Sequence, residues 1–139
     1  MQNFKNQNLI FTIGHSTRKM DEFIEILKKH GIQVIIDIRR FPKSKVVPHF
    51  NKENLKLELR KIGIKYAWLG KWLGGYRKEG YLKYMEKPEF KKGIKYLENI
   101  AKNKTCAIMC TEKLYFKCHR KFVSKYLQNK GWIIKHIKD

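Results

Sequence analysis

The chain has 139 residues, of which 42% are hydrophobic, and it carries a formal net charge of +20 from 32 Lys and Arg against 12 Asp and Glu. This length and apolar content are typical of one globular domain with a core of its own, and they exclude a disordered chain. No stretch approaches the roughly 20 consecutive apolar residues that a membrane span needs, and the N-terminal segment does not resemble an export signal. We therefore expect a cytoplasmic protein with no membrane partner.

The positive charge has two interpretations. An excess of this size attracts nucleic acid and other polyanions through non-specific electrostatics. The lysines are nevertheless spread over the whole chain, as they are when Lys is simply the commonest surface residue of a proteome. Charge therefore favours an anionic ligand or partner and does not choose between a small molecule and nucleic acid.

Strand-like and helix-like segments alternate along the chain. In order, the pattern predicts a strand at 8–13, a helix ending before Gly31, a strand at 34–38, a helix from the N-cap Asn51 to Gly63, a strand at 64–68, a short helix at 81–86, a helix from Pro88, a strand at 105–110, a helix from Cys118 or His119 to Gly131, and a strand at 132–137. This alternation predicts a single α/β domain: one doubly wound, mostly parallel five-stranded sheet flanked by helices, Rossmann-like. The expected strand order is 3-2-1-4-5.

A glycine-rich aromatic loop is predicted at 70–80. Trp72 and Tyr76 lie there among Lys71, Arg77 and Lys78. Aromatic side chains interleaved with cations can stack on bases and hold phosphates. The same composition also suits a lid or a packed loop, and the residues alone leave these alternatives open.

Three segments place unusual residues directly after predicted strands. They are 14–16, 37–44, and 110–112 together with 118–120. Ligands of open α/β sheets bind outside the carboxyl ends of the strands. We therefore expect these segments to converge there into one basic, anion-binding cleft.

Arginines and hydroxyls in these segments predict an anion site. Arg39 and Arg120 can each bind phosphate or carboxylate oxygens in a bidentate way. Arg120 also lies in the first turn of a predicted helix, where free backbone N–H groups favour anions. With Ser16 and Ser44, these are the candidate residues for binding an anionic or nucleotide-like ligand.

Proton transfer is assigned to four candidates, each with an alternative structural role. His15, Asp37, Glu112 and His119 follow predicted strands and carry titratable groups suited to general acid–base work. His15 and Ser16 could instead cap a helix. Asp37, next to an apolar strand, needs a cationic partner if it is buried, with Arg39 or Arg120 the obvious choice, and that pair could be purely structural.

Cys118 is the candidate nucleophile among three cysteines. It lies at a predicted helix N-terminus beside His119 and Arg120, where the pKa of a thiol falls; its alternative role is a small packed residue. Cys106 is interpreted as core. An odd number of cysteines in a reducing compartment argues against a disulfide framework. The Cys-x7-Cys-His spacing from Cys110 fits no common zinc signature, so neither a metal nor a cofactor is expected.

Several motifs in the chain resemble one known family. They are TIGHST at 12–17, DIRRFPKS at 37–44, HFN at 49–51, LGG at 73–75, YM at 84–85, PEF at 88–90 and MCTEKLYFKCHR at 109–120. Together they are similar to the family catalogued as domain of unknown function 488, over about residues 11–137. The resemblance implies a small prokaryotic α/β protein without an established reaction. It marks the positions His15, Ser16, Asp37, Arg39, Pro42, Ser44, Gly74, Gly75, Cys110, Glu112, Cys118, His119 and Arg120.

Two functions fit these observations. The first is an enzyme acting on a phosphorylated or nucleotide-like substrate, with two arginines on the anion and Cys118 as nucleophile. The alternative is a non-catalytic nucleic-acid-binding module that uses the lysine-rich surface and the 70–80 loop. Strong salt dependence of nucleic-acid binding would favour the second.

Overall fold

Five parallel strands form one sheet in the computed structural model, which describes residues 8–138. The strands are β1 (Leu9–Gly14), β2 (Val34–Asp37), β3 (Lys65–Trp68), β4 (Cys106–Cys110) and β5 (Ile133–His136). Every pairing in the sheet is parallel. The predicted α/β class is confirmed.

The strand order is β3-β2-β4-β1-β5, so the predicted order 3-2-1-4-5 was wrong. β4 lies between β2 and β1, with Met109 opposite Asp37 and Cys110 opposite Gly14. A strand in the middle of a parallel sheet is buried on both faces and reads as an uninterrupted apolar run. Both β1 and β4 have this character, and the pattern therefore could not tell which of them pairs with β2.

Within residues 8–138, six α-helices connect the strands. They are α1 (Met20–Lys29), α2 (Lys52–Lys61), α3 (Gly70–Leu73), α4 (Tyr81–Tyr84), α5 (Pro88–Asn103) and α6 (Arg120–Asn129). α1 begins with Asp21 and Glu22 in its first turn, where carboxylates complement the helix dipole. Among residues 8–138 no helix is long and apolar enough to cross a membrane.

The helices cover both faces of the sheet, and the sheet separates the core into two clusters. On one face lie the inner side chains of α1 and α2: Phe23, Leu27, Leu55 and Leu59. On the other lie those of α5 and α6: Phe90, Ile94, Val123 and Leu127. The helices that follow β1 and β2 pack on the face covered by α1 and α2. The helix that follows β4, the strand between them, packs on the opposite face. The carboxyl edge therefore opens on both sides of β4, where neighbouring loops diverge.

The predicted 70–80 loop is partly helical and partly packed. α3 begins at Gly70, and the Trp72 ring stacks on Tyr96 of α5, with ring centroids 5.0 Å apart. Gly93 permits this approach, because a Cβ there would lie 2.7 Å from the Cβ of Trp72. Tyr76, in contrast, is 84% exposed. The last helix begins at Arg120, with His119 as its N-cap, one residue after the predicted start.

Candidate functional site

The three segments that follow strands meet at the carboxyl edge of the sheet, as predicted. The amide of His15 donates to the carbonyl of Cys110 at 2.9 Å, and that of Ser16 donates to Thr111 at 2.8 Å. The amide of Ile38 donates to Met109 at 3.0 Å. The backbone after β4 is thus hydrogen-bonded to the segments after both β1 and β2.

A buried ion pair joins Asp37 to Arg39, which confirms the predicted pairing of this carboxylate with an arginine. Nε of Arg39 donates to one carboxylate oxygen at 2.9 Å and an Nη donates to the other at 2.8 Å. The Arg39 amide also donates to the carboxylate, at 3.0 Å. Burial alone would lower the pKa of Arg39, but the hydrogen bonds and charge of Asp37 outweigh burial and raise it. Arg39 therefore stays cationic, and both carboxylate oxygens of Asp37 accept hydrogen bonds from it.

Tyr66 completes the surroundings of the carboxylate and was missed by sequence reasoning. Its hydroxyl donates to Asp37, and burial together with the carboxylate charge raises the pKa of the phenol. Trp68, two residues further along β3, donates from Nε1 to the carbonyl of Arg39 at 2.7 Å. The sequence could have indicated these contacts, because Tyr66 and Trp68 both lie on a strand that was expected beside β2.

His15 is neutral and holds Arg39 from the other side. A guanidinium only donates, so Nε2 of His15 accepts from Arg39 at 3.3 Å, and the proton is on Nδ1, which donates to the carbonyl of Ser16 at 2.9 Å. The ring stacks on Phe50 at 4.5 Å and is 1% exposed. Burial lowers the pKa of His15 to about 4. At neutral pH the residue therefore orients Arg39.

Cys110 and Cys118 form a thiol pair on the other side of the edge. Their Sγ atoms are 2.9 Å apart, and the Arg120 amide donates to Sγ of Cys118 at 3.3 Å. The hydrogen bond from Cys110 lowers the pKa of Cys118 to about 7; burial opposes this, and the Arg120 amide and charge support it. The same hydrogen bond and burial raise the pKa of Cys110. The Cys118 thiolate is therefore partly populated at neutral pH, and Cys110 holds its proton more firmly than Cys118 does.

Arg120 is a buried cation whose hydrogen bonds go to uncharged groups. It is 1% exposed and donates to the carbonyls of Glu112 at 3.0 Å and Lys113 at 3.2 Å, and to the hydroxyl of Thr12 at 3.3 Å. Its Nε has no hydrogen-bond partner within residues 8–138, and no carboxylate in this part of the chain pairs with it. The Cys118 thiolate therefore supplies nearby negative charge to this arginine.

His119 lies between the Asp37–Arg39 ion pair and the Cys110–Cys118 thiol pair. Its Nε2 donates to the carbonyl of Ile38 at 3.1 Å, so Nδ1 is the unprotonated nitrogen of the neutral ring. A Cβ at Gly75 would lie 3.2 Å from that nitrogen, which shows how closely the backbone after α3 approaches it. Burial lowers the pKa of His119.

The remaining predicted residues do not bring their side chains into these groups. The Glu112 side chain is exposed, and only its backbone carbonyl binds Arg120. The Ser44 hydroxyl accepts from the amides of Val46 and Val47 within its own loop. Ser16 has a positive φ of 49° and contributes its carbonyl to His15. Within residues 8–138 no three His, Cys, Asp or Glu side chains are arranged to hold a metal ion.

A cleft of about 630 Å³ opens beside the Asp37–Arg39 pair. Its lining includes the rings of Phe41 and Trp68 and the cations Arg40, Lys43 and Lys52. Nζ of Lys52 lies 4.3 Å from the centre of the Trp68 ring. Arg40 also donates to the carbonyl of Tyr76 at 2.6 Å, which ties the cleft to the segment that covers His119. The sequence predicts one basic cleft built from all three segments; the lining of this cleft comes instead from residues 40–43, residues 51–54 at the start of α2, and Trp68.

The fold and the site together define a parallel α/β protein with a buried His–Arg–Asp network and a thiol pair at one sheet edge. The family model described as Domain of unknown function DUF488 matches residues 19–127, and the chain belongs to this family. The match contains two of the three convergent segments; the one after β1 precedes it. No curated protein and no solved structure matches the chain.

Proposed function

We propose that the protein is an enzyme that acts on a phosphorylated or nucleotide-like substrate and uses Cys118 as its nucleophile. The observation that carries this proposal is the geometry around Cys118: Sγ of Cys110 lies at 2.9 Å and the Arg120 amide at 3.3 Å, and these contacts lower the pKa of Cys118 to about 7. A thiolate populated at neutral pH is the reactive form of cysteine.

The buried arginines have a positioning role in this proposal. Arg39 is held by Asp37, and Arg120 by the carbonyls of residues 112 and 113, and both side chains are buried, so neither presents its guanidinium to a ligand in the cleft. Arg120 instead stabilises the thiolate and holds the segment before α6. Arg39, oriented by His15, holds the loop that leads from β2 to the cleft.

The cleft beside Asp37 and Arg39 is the proposed binding site for the anionic substrate. Its volume lies within the range of about 300–1,000 Å³ common for small-molecule sites. Phe41 and Trp68 offer faces for a planar ring, and Lys43 and Lys52 offer charge for phosphate oxygens. Cys118 does not line this cleft, so the proposed substrate reaches from the cleft to Sγ of Cys118. Sγ forms a bond to the electrophilic atom of the substrate, and the leaving group departs with the bonding electron pair. Water then attacks the same atom, and Sγ leaves as the thiolate.

Alkylation and turnover test the proposal together. The rate of iodoacetamide reaction at Cys118 should rise with pH around an apparent pKa near 7, and a nucleoside monophosphate should slow it. The reduced protein should convert at least one member of a panel of nucleoside phosphates and sugar phosphates, whereas Cys118→Ser should convert none. Cys106→Ser, a change in the core, is the matched control and should keep the activity. An alkylation rate that follows an ordinary thiol pKa of about 8.5 would remove the basis of the proposal.

Nucleic-acid binding is the second candidate, and one observation favours it. Phe41 and Tyr76 are 64% and 84% exposed, their ring centroids are 5.8 Å apart, and the Arg40 guanidinium lies 5.5 Å from the Phe41 ring. Exposed aromatic residues beside cations form stacking platforms for single strands. If this is the function, Phe41→Ala/Tyr76→Ala should weaken oligonucleotide binding at fixed salt more than Lys56→Gln/Lys95→Gln, which removes two charges elsewhere. If both double variants lost oligonucleotide affinity equally, binding would be explained by non-specific electrostatic attraction alone.

A further inference from the structure

The thiol of Cys110 has no chemical part in the proposed reaction beyond its hydrogen bond. It lies at the end of β4 and is 1% exposed, whereas Cys118 is half-buried in the segment before α6. The two Sγ atoms are nevertheless in contact at 2.9 Å, so a disulfide bond of roughly 2.05 Å could form after a small approach. A nucleophile and a second thiol are thus already in contact.

The two thiols differ in the way that an attacking and a resolving cysteine differ. Cys118 is more accessible and is stabilised as the thiolate by the Arg120 amide. Cys110 is buried and keeps its proton, since the hydrogen bond to Cys118 raises its pKa. An incoming reagent therefore meets Cys118 first, and Cys110 reacts only after the charge on Cys118 is gone.

We propose that Cys110 and Cys118 form a thiol–disulfide exchange site that low-molecular-weight disulfides oxidise, and that the resulting disulfide blocks the nucleophile. The blocking of turnover rests on the proposed function; the exchange itself does not.

The exchange proceeds in two balanced steps. The Cys118 thiolate attacks one sulfur of the small disulfide, a mixed disulfide forms on Cys118, and one small thiolate leaves and takes up a proton. Cys110 then loses its proton to solvent and attacks Sγ of Cys118, so that the Cys110–Cys118 bond forms and the second small thiolate leaves. Starting from the Cys118 thiolate and the Cys110 thiol, the protein loses two electrons and one proton. A second proton comes from solvent, and the small disulfide is reduced to two thiols.

Oxidised glutathione and mass spectrometry of the full chain test the proposal. Incubation at pH 7.5 should remove two hydrogen atoms from the wild-type mass and abolish alkylation of both Cys110 and Cys118, and dithiothreitol should reverse this. Cys110→Ser should stop at one glutathione bound to Cys118. Cys118→Ser should not react, and Cys106→Ser should behave as wild type. A wild-type protein that retains glutathione, as Cys110→Ser does, would overturn the proposal.

Turnover separates this proposal from the proposed function. If the wild-type protein forms no Cys110–Cys118 disulfide but the reduced protein is active, only the exchange site is refuted. Formation of the Cys110–Cys118 disulfide in a protein that converts no substrate would refute only the enzymatic reaction.

Discussion

At the scale of single residues, the Asp37 carboxylate is the group that organises one half of the site. Arg39 donates three hydrogen bonds to it and Tyr66 one, in a position without solvent exposure. A buried charge is tolerated only when it is paired and its remaining acceptor sites are satisfied. The geometry of the loop after β2 thus depends on one side chain.

Replacing Asp37 by Ala should destabilise the fold by about 3–5 kcal/mol, because Arg39 is left buried without its counter-ion. Tyr66→Phe removes one hydrogen bond to the same carboxylate and should cost less, about 1.5–3 kcal/mol. Urea unfolding of the two variants and the wild type measures both values. A smaller loss for Asp37→Ala than for Tyr66→Phe would contradict the dominant role of the ion pair.

His15 makes folding stability dependent on pH. Its pKa is about 4 in the folded protein, below the value of 6.5 for an exposed histidine. The unfolded chain therefore binds the proton more tightly, and the stability contributed by neutral His15 is complete above pH 6.5 and is lost as the pH falls toward 4. The full shift is worth roughly 3 kcal/mol.

The variant His15→Gln should therefore lose less stability than the wild type between pH 7 and pH 4. His136 also has a pKa lowered by burial to about 4, so part of the pH dependence will remain in the variant. Urea unfolding at several pH values measures the slopes. Identical slopes in the two proteins would show that His15 does not titrate on unfolding.

At the scale of the elements, the turn between β1 and α1 is pressed against the segment that follows β4. A Cβ at Gly14 would overlap the carbonyl oxygen of Glu112, which also accepts a hydrogen bond from Arg120. Neither backbone can move away freely, because the amides of His15 and Ser16 bind the carbonyls of residues 110 and 111. Gly14 is therefore required by a close approach between two loops.

Gly14→Ala should destabilise the fold and raise the pKa of Cys118, since the displaced carbonyl of Glu112 no longer holds Arg120 in place. Gly131→Ala is the control: its φ is +99° but a Cβ would meet nothing within 4 Å. That variant should cost only the backbone strain of about 1–2 kcal/mol and leave Cys118 unchanged. Thermal unfolding and the pH profile of alkylation measure both effects. A Cys118 profile shifted equally in the two variants would exclude the proposed link.

The elements were more predictable than their contacts. Periodicity located all five strands, and the ends of β1, β2 and β4 predicted that the segments carrying His15, Asp37 and Cys118 would meet at one edge of the sheet. Strand order depends on which apolar strand pairs with β2, a long-range choice that local pattern does not contain. The same holds for the Tyr66 hydrogen bond and the contact between Cys110 and Cys118, which depend on side-chain directions at the sheet edge.

At the scale of the whole molecule, a chain of 139 residues carries 32 Lys and Arg against 12 Asp and Glu. Exposed ion pairs such as Lys61–Glu58 and Lys130–Glu98 offset part of the repulsion, but each contributes little. Like charges at this density destabilise the compact state. The protein should therefore be more stable when salt screens its surface.

Raising NaCl from 0.01 M to 0.15 M shortens the screening length from about 30 Å to about 8 Å and should raise the midpoint of thermal unfolding. Replacing the exposed Lys56, Lys95 and Lys125 by Gln lowers the net charge from +20 to +17 and should reduce this rise. Calorimetry at both salt concentrations measures the difference. A midpoint that does not change with salt would show that repulsion between surface charges is negligible here.

The position of β4 between β2 and β1 has a consequence for how the chain reaches its native state. The first two strands do not pair with one another, and each needs a partner that the ribosome produces only after residue 105. During synthesis only β2 and β3 have each other as neighbours. A pair of strands without the rest of its sheet is marginal in water. Productive folding must therefore wait for most of the chain, and the apolar β1 and β2 are open to chaperones until then.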